Sequence, residues 1–224
     1  MSLHTFNHPF FAKTSAEQNR AKLYAIGIAV MLGFLAVLLF WWLHLLFIGF
    51  LICFILITLL APFVDVPGMV KAEKLSYHSV FLLAEAPKDG VLNLHGGTLF
   101  DYVYVLDFKQ SGNVRTAFIL QKYLEGLLHL IAHYEGKEQS LTLRWTSYIV
   151  NQRTAARLGF KPEPKDGLQQ LILAFNYGNL LVSNSLAKGK LSFPKLSATQ
   201  TYEASLDDLM ARKAYIKQLL KRMQ

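Results

Sequence analysis

Cysteine is nearly missing from this chain. Cys53 is the only one, so no disulfide can close within the sequence and no Cys-x-x-Cys motif exists. Charge is also scarce. Asp, Glu, Lys and Arg make up 17% of the residues, against about 25% in an ordinary soluble domain. The shortage is local: the 42 residues between Lys22 and Asp65 contain none of the four. That excludes a simple soluble protein. No long Lys/Arg cluster and no recognised nucleic-acid motif occurs, so no nucleic-acid partner is expected. A nucleophile-elbow serine motif, a P-loop and a His-Glu-x-x-His pair are absent too, as are internal repeats and low-complexity tracts. What remains is 53% hydrophobic residues and 23 basic against 15 acidic, a net charge of +8. Mean hydropathy is +0.28. After the apolar block, the chain is long enough for one domain with its own core.

The apolar run from Tyr24 to Phe63 would be about 60 Å long as one helix, at 1.5 Å per residue. A bilayer's hydrocarbon core is about 30 Å thick. Two passes fit, and the spacing predicts a hairpin of helices over 22–40 and 43–62. Trp41, Trp42 and His44 belong at the interfacial turn. Pro62 and Pro67 should break the second helix as it leaves the bilayer. Gly27, Gly33 and Gly49 offer places for close helix approach, and Cys53 is a packing residue. A hairpin puts both ends on one side. Lys13, Arg20 and Lys22 before it, and Lys71 and Lys74 after it, place that side in the cytoplasm, because the turn carries no Lys or Arg. The expected location is a bacterial inner membrane.

The expected organisation is an N-terminal cytoplasmic segment (1–21), the transmembrane hairpin (22–63), a linker (64–75), an α/β domain (76–200) and a C-terminal basic amphipathic helix (201–224). Within the domain, 79–85 reads as a strand or short helix, 91–95 as a short strand, and Leu99–Phe108 as the clearest strand, buried on both faces. Thr116–Tyr134 carries a helical period ending at Gly136. Strand 140–145, helix 151–158, a helix over 168–186 and strands at 191–194 and 199–203 follow. Ser205-Leu-Asp-Asp208 reads as a capped helix start.

Thr142–Phe160 resembles the later part of the GNAT (N-acetyltransferase) domain. Asn151, Ala155, Gly159 and Phe160 match the family's strand–Asn, short Ala-containing helix and Gly-Phe pair in type and order. The strand 99–108, loop 109–115 and helix 116–135 look like its topology, so the resemblance spans about residues 80–160. It implies an α/β domain whose loop after the central strand holds the pyrophosphate of acetyl-CoA or acyl-CoA at a helix N-terminus. Here that places Gln110, Gly112, Asn113, Arg115 and Thr116 at the cofactor, with Asn151 and Tyr148 near the thioester. The loop departs from the family's Gly-rich pattern, having one glycine, and the family's Tyr between Asn151 and Gly159 is missing. The expected function is therefore a membrane-anchored binding or assembly subunit with a degenerate GNAT-like domain and no cofactor. A membrane-tethered acyl-CoA-dependent N-acyltransferase is the alternative.

Asp107, near the end of the expected strand, is a candidate general base along with Tyr148. An ion pair of Asp101 or Asp107 with Arg115 or Arg144 is the structural alternative. Glu125, His129 and His133 recur every four residues on one helix face, which reads as a polar stripe rather than a metal site. His78 and His95 read as surface or capping residues. Arg212, Lys213, Lys217, Lys221 and Arg222 form the basic face of the last helix, suited to lipid headgroups or an acidic partner. The partners expected are the bilayer and either a protein or a second copy of the chain.

Overall fold

A computed structural model describes residues 7–137, 140–147, 150, 152–164 and 167–223. Helix α1 (Ser15–Trp42) starts at a reciprocal cap, in which the Glu17 amide donates to Thr14 Oγ1 and the Thr14 amide to the Glu17 carboxylate. Helix α2 (Leu46–Lys71) runs back along it. Both are long and apolar enough to cross a membrane. The reversal occupies 43–45, with His44 in the left-handed region at φ 58°. Two of the expected glycine contacts are present. Cys53 Sγ lies 3.6 Å from the Gly33 carbonyl, and Gly49 lies against the backbone of Ala36 and Val37. Gly27 touches nothing.

The expected break at the prolines does not occur. Pro62 and Pro67 lie inside α2, which continues to Lys71 and replaces most of the expected linker. A proline removes the N–H that would bond to the carbonyl four residues back, here Thr58. The side-chain amide of Asn179 donates to that carbonyl at 2.9 Å. A helix keeps a proline where a neighbour satisfies the freed group. Asn179→Ala is expected to cost about 1–3 kcal/mol, the penalty of an unmet buried acceptor. In a Pro62→Ala background the helix recovers its own N–H, and the same substitution should cost far less. A double-mutant cycle on thermal unfolding measures the difference; equal costs in both backgrounds would reject this account.

The domain is one mixed sheet of strands β1 (Leu75–Ser79), β2 (Leu82–Glu85), β3 (Val91–Gly96), β4 (Thr142–Ser147), β5 (Lys161–Pro162) and β6 (Gln200–Ser205). Their order is β1-β2-β3-β4-β6-β5, with β3 and β4 parallel and the other neighbours antiparallel. The expected single element at 79–85 is instead a hairpin corner. Ser79 Oγ accepts from the amides of Phe81 and Leu82 and donates to the Lys122 carbonyl.

Helix α4 (Gly112–Tyr134) covers one face of the sheet together with α8 (Leu206–Ala211) and α9 (Lys213–Lys221). Leu82, Leu92, Leu94, Leu143, Trp145 and Tyr202 meet Leu127, Ile131, Leu209 and Ile216 there. Gly126 is needed for this approach, since a β-carbon on it would sit 2.5 Å from Leu82 Cβ. A second cluster joins the end of α2 (Val66, Val70) to β1 and β2 (Leu75, Tyr77, Leu83), to Phe100, and to Phe10 from the segment before α1.

The stretch 99–108, expected as the central strand, is helix α3 (Leu99–Val105). Asp101 explains it: its Oδ2 accepts from the amide and hydroxyl of Thr98 at 2.6 and 2.9 Å, fixing a helical first turn. The nearly continuous apolar run arises because α3 is buried on two opposite sides. Phe100 and Tyr104 enter the second cluster, and Tyr102 and Leu106 the first. Each pair has helical i, i+4 spacing, yet the four together read as a strand.

The expected helix over 168–186 is two, α6 (Gly167–Phe175) and α7 (Tyr177–Lys188), broken at Asn176. Short helix α5 (Gln152–Arg157) follows β4 and ends before Gly159, whose φ is +93°. Residues 191–194 form no strand, and Leu196–Ala198 is a 3₁₀ turn. The last helix starts as expected, with Ser205 Oγ accepting from the Asp208 amide, but breaks at Arg212 into α8 and α9. β6 crosses the expected domain boundary at 200/201, so the C-terminal segment is part of the sheet and its core.

Candidate functional site

The faces of β3, β4 and β6 alternate. Leu92, Leu94, Leu143, Trp145, Tyr202 and Ala204 point into the α4 core. The residues between them point the other way and form a polar row. The side-chain amide of Asn93 donates to Glu85 Oε2 at 3.0 Å, and His95 Nε2 is 2.8 Å from Glu85 Oε1. Asn93 is in register with Arg144, and Arg144 with Glu203. Arg144 forms an ion pair with Glu203 at 2.5 Å, and the hydroxyls of Thr146 and Thr201 are 3.1 Å apart. Partial burial works to raise the Glu85 carboxyl, but the Asn93 hydrogen bond, then the charge and hydrogen bond of His95, outweigh it and hold the group below the ordinary carboxylate range.

Pairing between β3 and β4 stops at Leu94 and Trp145. Beyond that point, β3 stays paired only with β2, and β4 only with β6. The two parallel strands separate at their C-terminal ends, the usual position for a ligand crevice in an α/β sheet. A cavity of about 650 Å³ opens there. Glu85, Asn93, His95, Arg144 and Thr146 form its polar floor; Pro62, Val66 and Met69 of α2 form one wall; Ile172, Leu173, Asn179 and Leu180 of α6 and α7 form another. Asn179 Oδ1 is buried with no partner among the described residues.

The chain matches no protein-family model, no curated protein and no solved structure.

The residues expected at a cofactor lie elsewhere, at the start of α4. Ser111 caps this helix. Gln110 donates to Asp107, and the Thr116 hydroxyl donates to the Gly112 carbonyl at 2.8 Å. Gly112 packs directly on the backbone carbonyl of Lys188, and Gly189 on the Arg115 guanidinium. The end of α7 therefore packs on one side of the first turn of α4, where Ser111 and Val114 stay exposed. Arg115 is buried, its guanidinium lies over the Phe108 ring, and its Nε has no partner among the described residues. Asn113 is exposed in the first turn of α4.

Asp107 sits in the exposed turn between α3 and α4 and accepts from the Lys109 amide at 2.9 Å. It does not pair with Arg115 or Arg144, since Arg144 is taken by Glu203. Asp101 is fully buried, and its Oδ1 receives the Tyr77 hydroxyl at 2.5 Å with His8 Nε2 at 3.3 Å. Burial first, then the Asp101 charge and hydrogen bond, push the Tyr77 hydroxyl far above its usual range, so it remains a donor. Tyr148 and Asn151 lie outside the described residues.

Glu125 bonds to Lys122 and Gln121, and His129 Nδ1 lies 2.8 Å from the His78 carbonyl. Among the described residues no three of His, Cys, Asp and Glu converge as metal ligands. Of the basic face, Lys213 pairs with Glu135 at 2.6 Å and Arg212 lies against Gly159. α9, which carries Lys217 and Lys221 and is capped by Arg222, packs on α4, across the sheet from the cluster that α2 joins.

The polar row was not singled out from the sequence, although its signal is there. Asn93 and His95 alternate with Leu92 and Leu94, and Arg144 and Thr146 with Leu143 and Trp145. Strict alternation marks a sheet face outside the main core. Only pairing shows that four strands bring these positions together.

Proposed function

We propose that the chain is a two-pass membrane protein holding a GNAT-like α/β domain at the cytoplasmic face, where it acts as a binding or assembly subunit rather than an acyl-CoA-dependent enzyme. The observation that carries this is the packing of the Lys188 carbonyl onto Gly112. Gly112, which the resemblance places at a pyrophosphate, is instead in contact with the chain's own backbone. The membrane part is supported by the two apolar helices and their outward-facing Phe34, Phe47, Phe50 and Ile57. The same-side reading is supported by His8 and Phe10, which precede α1 and pack with the end of α2 and the domain. The family reading is supported by the order strand, two helices, strand, short helix in β3, α3, α4, β4 and α5, and by buried Ala155 and Phe160.

The mechanism is positional. α2 enters the domain without a linker, and Val66 and Val70 are buried in it. The hairpin thus fixes which surface of the domain faces the bilayer.

Titration calorimetry of the detergent-solubilised protein with acetyl-CoA and a long-chain acyl-CoA tests this. No binding at millimolar ligand is expected. Micromolar binding competed by free coenzyme A would establish the second reading, the tethered N-acyltransferase. The separation of β3 and β4 beside the cavity favours that reading.

A further inference from the structure

The corner between α6 and α7 reaches deep along α2. Lys22 and Asp65 are the charges that bracket the apolar run, each about twenty residues from the reversal. That separation is about 30 Å of helix, one hydrocarbon thickness. Thr58, whose carbonyl receives Asn179, lies seven residues inside Asp65, or about 10 Å along the axis. Phe175 reaches further, with its ring centroid 6.4 Å from that of Phe54, and Gly178 lies against Leu59. α6 exposes Leu171, Ile172 and Phe175, each more than half accessible. A charge-free corner with that surface belongs at the boundary between headgroups and acyl chains. This placement rests on the two-pass reading above.

The cavity lies between this corner, α2 and the polar row. Its wall from α6 and α7 is level with the acyl chains, Val66 and Met69 lie on the domain side of Asp65, and its floor carries both signs of charge. Glu85 and Arg144 lie on β2 and β4, separated by Asn93 on β3. Asn179 Oδ1, a buried acceptor without a partner among the described residues, also belongs to a lining residue of the cavity. At roughly 30 Å³ per water-sized group, a space of about 650 Å³ holds about twenty such groups, enough for a headgroup and part of one chain and too few for two chains.

From this juxtaposition we infer that the cavity is a binding site for a single-chain phospholipid with an amine headgroup. The chain lies along Pro62, Val66, Ile172 and Leu173. The ammonium meets Glu85 and the phosphate meets Arg144, so the zwitterion spans Asn93 and continues the alternation of charge along the row.

The test uses the full chain in nanodiscs and measures binding of lysophosphatidylethanolamine, lysophosphatidylglycerol and monoacylglycerol by native mass spectrometry. Lysophosphatidylethanolamine is expected to bind at least ten-fold more tightly than the other two. Glu85→Gln and Arg144→Gln should each weaken it about ten-fold, with unchanged circular dichroism and melting. Equal binding of lysophosphatidylglycerol would overturn the amine headgroup assignment. Equal binding of all three, untouched by both variants, would overturn the site. A separate readout covers the underlying membrane reading. In a Cys53→Ala background, Phe175→Cys should resist a membrane-impermeant maleimide while Lys88→Cys reacts. If Phe175→Cys reacts as fast as Lys88→Cys, the membrane placement fails. If it is protected and no lysolipid binds, the site alone fails.

Discussion

Replacing Asp101 with alanine is expected to lower the melting temperature by about 10 °C, from a loss of roughly 3–5 kcal/mol in a chain of this size. Asp101 is wholly buried and serves three partners at once. Its Oδ2 holds the Thr98 amide and hydroxyl, its Oδ1 takes the Tyr77 hydroxyl, and His8 Nε2 faces the same oxygen at 3.3 Å. The His8 ring is oriented for this, because its Nδ1 accepts from the Phe10 amide at 3.2 Å and the ring stacks on Phe100 at 5.2 Å. Alanine removes a helix cap, worth about 1 kcal/mol. It also strands the buried Tyr77 hydroxyl, at about 1–3 kcal/mol, with a further cost at His8. Asp101→Asn keeps an acceptor for Thr98 and should lose about half as much. The measurement is a thermal melt in detergent followed by circular dichroism. An unchanged melt for Asp101→Ala would mean that the cluster does not tie the N-terminal segment and the end of α2 to the domain.

Gly112→Ala is expected to destabilise the protein by about 1–3 kcal/mol, the range for overpacking a filled space. An ordinary Gly→Ala change in a helix does the opposite, gaining up to about 1 kcal/mol. The difference arises from the Lys188 carbonyl, which occupies the position of the new methyl group. Both groups are backbone-bound, so neither can rotate away. Gly68→Ala is the internal control. Gly68 is also helical, but a β-carbon there meets nothing within 4 Å, and it should melt at or above the wild-type temperature. If Gly112→Ala melted above wild type instead, the end of α7 would not be seated on α4. The Lys188 side of Gly112 would then be open to a ligand, which would revive the acyl-CoA reading. The same contact makes substitutions at Gly112 unsuitable as probes of ligand binding, because they unfold the helix start first.

Some of this architecture was legible along the chain because its causes are local. The hairpin follows from a charge-free run twice as long as one bilayer crossing. Helix α4, the caps at Ser205 and Gly136 and the alternation in β4 each depend on residues within a few positions of one another. The misread stretches failed for an equally physical reason. Leu99–Phe108 has the composition of a buried strand, but a carboxylate at Asp101 caps a helix there, and α3 meets the hydrophobic core on two sides. Pro62 would end a solitary helix, and α2 survives it because Asn179, distant in sequence, takes the carbonyl that the proline frees.

The candidate site divides along the same line. The sequence by itself determined the hairpin of two long apolar helices, the basic balance, the principal helix and the polar positions within each strand, because periodicity and capping act over one or two turns. Only the tertiary structure decided that Glu85, Asn93, Arg144 and Glu203 share one row, that the end of α7 packs on Gly112, and that α6 and α7 lie against the middle of α2. Strand pairing and helix docking join residues tens of positions apart, and no local pattern encodes which partner each will meet.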